Sequence, residues 1–288
     1  MKPKFHRNKK HITRFTLIEL LVVLSIIGIL VALLSPALSK SRLRAKYSRW
    51  LGYTNNLRSD PTLIGQWIFP DSMTTVVMNN AQGINEDGYN SKNYNGELNN
   101  IGLSKNGGRF AKGAGYFYGV ASSNILIDDK ARFYSQGKNE TIIVWFKAKD
   151  YNNRVLVAKG NSRRRQPGWS IFLRGRYVIF RFSSDKTQGV IAKVKSKIKY
   201  PLNKWSMAAF VIDNNNRELT GFLNGTVASS NLRQPNRNKT PVFKIEPMYI
   251  GRRRASGRYY KGFIDELEIF RRALKVSELD AAYEMGNE

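Results

Sequence analysis

The chain of 288 residues contains no cysteine and only two histidines, His6 and His11. Without thiols there is no disulfide, no thiolate nucleophile and no cysteine-bound zinc. Both histidines precede a long apolar run, so nothing after it offers an imidazole as general base or metal ligand. Acids are scarce too: 21 Asp/Glu face 48 Lys/Arg, for a net charge of +27. Residues 1–59 hold 12 Lys/Arg and one acid, and residues 60–288 hold 36 and 20, so the excess is not confined to a tail. Such a charge attracts anionic partners: acidic glycans, lipid headgroups or, less favoured, nucleic acid. The plainer reading is a general bias of surface composition.

What is present first is length without charge. Residues 1–14 (MKPKFHRNKKHITR) form a basic leader, and FTLIELLVVLSIIGILVALLSPAL follows. At ~1.5 Å per residue, roughly 20 apolar residues in a helix cross the ~30 Å hydrocarbon layer of a bilayer. The apolar core of a removable signal peptide is only about 7–15 residues long. Residues 15–38 are therefore read as a transmembrane anchor with the N-terminus in the cytoplasm. The orientation rests on the basic leader, although Lys40, Arg42, Arg44, Lys46 and Arg49 follow the span. One acid, Glu19, lies within it, where a carboxylate is costly and usually functional; alternatively it reaches the interface near the helix end.

Arg14-Phe15-Thr16-Leu17-Ile18-Glu19-Leu20-Leu21-Val22-Val23 resembles the N-terminal signal of type IV prepilins and pseudopilins. The resemblance implies cleavage between Arg14 and Phe15 by a prepilin peptidase and methylation of Phe15. It also implies that Glu19, fifth in the mature chain, pairs with the terminal amine of a neighbouring pilin-like subunit. Pro36 stands where pilin helices often carry a kinking proline. Arg14 occupies the position where the family usually has glycine, so an uncleaved anchor stands beside the processed form.

Residues 39–60 read as a basic amphipathic stalk. Leu38, Leu43, Tyr47, Trp50 and Leu51 recur at helical spacing, and Gly52, Asn55-Asn56 and Asp60-Pro61 are expected to end it. From residue 61 onward short β-branched and aromatic runs alternate with turn residues. Strands are expected at 63–69, 140–148, 154–159, 169–174, 177–183, 205–212, 218–223, 226–229, 248–250 and 262–270. Asn214-Asn215-Asn216 and Asn224-Gly225 make hairpin turns. Residues 79–115, rich in Asn and Gly, read as surface loops, and 277–285 as a closing helix capped by Ser277. The fold expected over 61–288 is mainly β, one antiparallel sandwich.

Five stretches, in order, are similar to the LamG-like, concanavalin-type jelly roll. They are Gly65–Phe69, Thr141–Ala148, Asn203–Phe210, Gly221–Gly225 and Ile250-Gly251 with Tyr260–Leu274. The resemblance implies a binding module, and it implies Asp265 as a calcium ligand, with Asp71 as its partner, although Pro70 displaces Asp71 from the usual position. Asp265 also reads as a turn cap. Glycan-cleaving enzymes of this fold need paired carboxylates. Glu266 and Glu268 share one face of a strand and Asp265 the other, but the string fits a binding module better, and no catalytic residue is assigned. Arg163-Arg164-Arg165 with Trp169, and Arg252-Arg253-Arg254 with Tyr259 and Tyr260, interleave cations with aromatics as polyanion sites do; solvated loops are the plain reading. The expectation is a pseudopilin-like protein of a type II secretion or type IV pilus-like system, in a bacterial inner membrane. Its outer domain would bind acidic glycans. The alternatives are an uncleaved, anchored adhesin and, behind it, a tethered glycan hydrolase.

Overall fold

The computed structural model describes residues 16–69, 76–81, 94–128, 139–160, 168–183, 191–231, 247–253 and 257–287. Two units are distinguished, residues 1–45 and 46–288. Helix α1 covers Leu17–Leu57. The strands are β1 (Leu63–Ile68), β2 (Val76–Val77), β3 (Gly96–Asn99), β4 (Ile101–Ser104), β5 (Ala114–Tyr118), β6 (Asn124–Ile127), β7 (Glu140–Ala148), β8 (Arg154–Gly160), β9 (Gly168–Arg174), β10 (Tyr177–Ser183), β11 (Ile191–Lys195), β12 (Ser206–Asp213), β13 (Glu218–Leu223), β14 (Thr226–Asn231), β15 (Met248–Ile250) and β16 (Lys261–Phe270), and α2 (Val276–Gly286) closes the order.

In the first unit α1 is long and apolar enough, by length and composition, to cross a membrane. Its Leu, Ile and Val side chains from Leu17 to Leu34 are largely exposed, a surface that water does not tolerate over such an area. Pro36 sits inside the helix. The helix opens on a reciprocal cap. Thr16 N–H and Oγ1 each donate to Glu19 Oε2 at 2.8 Å, and Glu19 N–H donates to Thr16 Oγ1 at 3.2 Å. The Thr-x-x-Glu spacing is the signature of this capping box, so Glu19 has a partner within its own chain.

The second unit is a sandwich of two eight-stranded antiparallel sheets. Sheet A runs β14-β13-β12-β7-β16-β5-β4, and sheet B runs β11-β10-β9-β8-β15-β6-β3-β2. Strand β16 is flanked on one edge by β7. Its other edge is shared by β5, opposite residues 261–264, and β1, opposite residues 266–270. Alternate residues of both sheets fill the space between them, among them Trp67, Phe146, Trp169, Phe180 and Phe210. Asn224 and Gly225, at φ 46° and 81°, turn β13 into β14, the positive-φ pair that a two-residue hairpin requires.

A second apolar layer lies on the outer face of sheet A. Ile143, Trp145, Met207, Phe222 and Phe270 point away from the central core and are covered by Leu279 and Ala282 of α2. The last turns of α1 pack there as well: Trp50 and Thr54 are buried, and Tyr53 and Leu57 lie against the same cluster. This burial carries the helix through Gly52 and Asn55-Asn56 to Leu57, just short of Asp60-Pro61, the last of the expected breakers. Closing helix α2 begins at Val276, and its cap position is Lys275 rather than Ser277. There Glu278 accepts from the Lys275 N–H at 2.8 Å.

The expected strands are all present. Strands β2 to β6 and β11 were not expected; β3, β4 and β5 fall where loops had been read. Gly221 on β13 marks a close approach of the sheets, since a Cβ there would lie 2.4 Å from Phe180 Cδ2. Gly221→Ala is expected to lower stability by about 1–3 kcal/mol through overpacking, read as a lower thermal midpoint. An unchanged midpoint would show that Phe180 has room to move.

Candidate functional site

The acids of β16 become a site because the strand is irregular. Its register against β7 shifts between Ile264 and Glu266, a bulge that adds one residue and reverses the alternation. Ile264 faces the central core before it, and Leu267 and Ile269 after it. Asp265, Glu266 and Glu268 are all buried, at 0%, 3% and 4% exposure. All three acids of the strand are therefore enclosed.

Arg109, fully buried, is what the bulge presents them to. It belongs to the short turn Arg109–Ala111, where Phe110 and Ala111 both hold φ 56°, a strained conformation that persists where the surroundings fix it. Arg109 donates from its backbone N–H and from Nε to Asp265 Oδ2, each at 3.0 Å, from Nη1 to the Gly286 carbonyl at 3.1 Å, and from Nη2 to Glu266 Oε2. Its guanidinium lies 4.0 Å from the Trp145 ring centre. A Cβ at position 286 would stand 2.2 Å from Nη1, so the glycine ending α2 leaves the space the guanidinium occupies. Lys112 Nζ donates to Asp265 Oδ1 and sits 4.6 Å over the Trp50 ring. Trp50 Nε1 donates to Glu266 Oε2 at 3.2 Å, and Gln66 Nε2 to Glu268 Oε1 at 3.2 Å.

Charge is balanced unevenly within this cluster. Burial alone would raise Asp265, but Lys112 and Arg109 outweigh it and hold its carboxyl below the usual range. For Glu268 burial and the adjacent Glu266 carboxylate win, pushing it up to about 8. Glu266 Oε1 has no donor among the described residues. A proton kept on Glu268 supplies one, because the two side chains are within hydrogen-bonding reach.

The donor set does not fit calcium. Both oxygens of Asp265 are engaged by Arg109 and Lys112, and a third cation would have to displace one of them. No group of three or more acidic or histidine ligands occurs among the described residues. Asp71 lies outside the described residues, as do Arg14, Phe15, Arg163, Arg164, Arg165 and Arg254.

The aromatic members of the two arginine-rich sites are corrected by their burial. Trp169 faces the central core at 1% exposure, because β9 alternates inward at that position. Tyr260 is fully buried and donates its hydroxyl to the Phe263 carbonyl at 3.1 Å. Arg253 is 4% exposed. Arg252 is half-buried, 4.9 Å over the Tyr249 ring, and donates to the Ala121 carbonyl at 3.2 Å. Half-buried Tyr259 gives its carbonyl to Arg154. Among the described residues of these two sites, none is exposed. Arg109 and Lys112 were missed: both lie in a stretch read as loop, and only their position between short Gly-bounded strands hints at an inward turn.

The sign of the pH dependence follows from Glu268. Its folded state retains a proton that the unfolded chain releases near 4.5, so stability falls as pH rises from there towards about 8. Urea unfolding across this window is expected to show a loss corresponding to about one proton. Glu268→Gln, whose amide still donates to Glu266, is expected to flatten that slope. A slope that survives the substitution would place its source elsewhere.

The comparisons with known proteins agree with this architecture. No curated protein matches the chain by sequence. Among solved structures, the binding domain of Paraclostridial Mosquitocidal Protein 1 aligns with TM-score 0.58 and 14% identity, over 77% of this chain and 52% of that one. The botulinum neurotoxin serotype D ligand binding domain in complex with N-acetylneuraminic acid gives TM-score 0.54 and 13% identity, over 78% and 51%. The chain thus spans about half the length of these toxin domains. Domain 4 of AbnA, a GH43 extracellular arabinanase from Geobacillus stearothermophilus, in complex with arabinotriose, gives 0.53 and 17%, over 77% of this chain and 98% of that one. At such identities the likeness is one of fold. The family match covers residues 119–280, more than half the chain: the protein belongs to the Concanavalin A-like lectin/glucanases superfamily.

Proposed function

We propose that this protein is a membrane-anchored, pilin-like envelope protein whose sandwich is a glycan-binding module. The observation that carries the reading is the pairing of one exposed apolar helix, Leu17 to Leu34, with a sandwich of a lectin-containing superfamily. Two similar folds were solved with N-acetylneuraminic acid and arabinotriose, which supports a carbohydrate ligand. The domain limits in this reading are leader 1–14, membrane span 15–38, stalk 39–60 and sandwich 61–288. The leader places the N-terminus in the cytoplasm of a bacterial inner membrane and the sandwich beyond it. A prepilin peptidase and other pilin-like subunits are the partners that Phe15 and Glu19 imply.

Binding is favoured over hydrolysis by the state of the acids. A glycosidase needs two carboxyl groups open to the sugar. Here Asp265 and Glu266 are tied to Arg109, and Glu266 is further held by Trp50. An uncleaved anchor remains the second reading, because Arg14 stands where glycine is usual.

Mass spectrometry of the membrane-extracted protein separates the two. The pilin-like route is expected to yield a chain beginning at a methylated Phe15. An intact Met1 would contradict it and leave an anchored adhesin.

A further inference from the structure

The covered part of sheet A's outer face ends beyond Trp145. Further along that face aromatic side chains stay partly open. Gly102 of β4 is opposite Tyr116 of β5, Tyr116 is opposite Phe263 of β16, and Phe263 is opposite Lys147 of β7. Trp205, one residue before β12, lies beside Lys147 and continues the line. Five strands at about 4.8 Å spacing make a row about 19 Å long, the length of an oligosaccharide rather than of one sugar.

The row alternates rings and ammonium groups. The Tyr116 and Phe263 rings are 4.8 Å apart, and Tyr118, 45% exposed, meets Tyr116 edge-on at 5.1 Å. Lys147 Nζ is 4.8 Å from the ring centres of both Phe263 and Trp205. Lys149 lies 5.7 Å from Phe263, and exposed Lys261 is opposite Tyr118. Glycines keep the rings low on the sheet. A Cβ at Gly102 would come within 2.6 Å of the Tyr118 hydroxyl, and one at Gly107 within 3.0 Å of Phe263 Cε1. The nearby acid Asp150 is engaged by Arg154 at 2.7 Å, so it does not neutralise these lysines.

A sugar ring has an apolar face of C–H groups whose partial positive charge suits the negative face of an aromatic ring. Lysines beside such a platform add attraction for carboxylate or sulfate. We infer that this row binds an acidic glycan chain, its sugars stacked on Tyr116, Tyr118, Phe263 and Trp205 and its anionic groups paired with exposed Lys149 and Lys261, while Lys147 is held by the Gly107 carbonyl at 3.1 Å. The inference rests on the glycan-binding reading above and gives it a place and a charge.

The test is equilibrium binding of the full-length protein in detergent to polygalacturonate, chondroitin sulfate, neutral dextran and poly(dT), at two salt concentrations. Wild type is expected to bind the acidic polysaccharides more tightly than dextran, and more weakly at high salt. Tyr118→Ala is expected to weaken binding about tenfold, the loss of one stacking contact. Lys149→Gln with Lys261→Gln is expected to remove most of the preference for acidic over neutral chains. Lys193→Gln with Lys195→Gln, on sheet B, is expected to change neither. If wild type binds acidic glycans and only the sheet B pair weakens it, or none of the variants does, the row is not the site although the glycan reading stands. If wild type binds no polysaccharide, both fall. Tighter binding of poly(dT) than of any glycan would overturn the occupant.

Discussion

A single buried guanidinium holds together the outer side of this sandwich. Arg109 takes Asp265 and Glu266 from β16, the last carbonyl of α2 and the ring of Trp145 from β7. Through Glu266 it also holds Trp50 of α1. Four segments, β16, α2, β7 and α1, meet around one side chain. A buried cation is costly in isolation, so its carboxylates cannot be varied singly. Removing one partner of such a pair costs about 3–5 kcal/mol.

The sandwich therefore has two layers with different physics. Between the sheets, burial of Leu, Ile, Val and Phe is non-directional and tolerates substitution of like volume. Outside sheet A, the cover supplied by α2 and the end of α1 combines apolar contact with a directional ionic network. The bulge at Asp265 makes the second layer, because one added residue turns acids toward Arg109 while preserving an apolar inner face. Beyond the cover the same sheet keeps rings and lysines open. One face thus carries both the seat of α2 and the last turns of α1 and an open stretch of rings and lysines.

Much of this was legible in the sequence, for identifiable reasons. Strands in the central sheets carry runs such as Thr141–Ala148 and Ser206–Asp213, whose β-branched and aromatic content declares them. Asn224-Gly225 named its turn by the positive φ it needs. Strands β3 to β5 hid because Gly96, Gly102 and Gly115 dilute the pattern. Those glycines are there because side-chain atoms of neighbouring residues occupy the space of a Cβ. The helix ran past Gly52 because burial of Trp50, Thr54 and Leu57 outweighs the roughly 1 kcal/mol cost of glycine. The bulge was invisible, since period-two reasoning assumes an unbroken strand, and with it went the role of Asp265. Trp169 and Tyr260 misled because proximity in sequence to arginine says nothing about which face of the sheet a ring takes. The Thr16–Glu19 cap was readable from its spacing and was overlooked beside a more specialised meaning for Glu19.

Arg109 ties the last turns of α1 and the end of α2 to sheet A. Amide hydrogen exchange of Arg109→Met against wild type, both in detergent, measures this directly. If the guanidinium ties the segments together, protection is lost jointly in residues 50–57 and 276–286, while β7 and β12 keep theirs. Loss confined to residues 107–113 would contradict it.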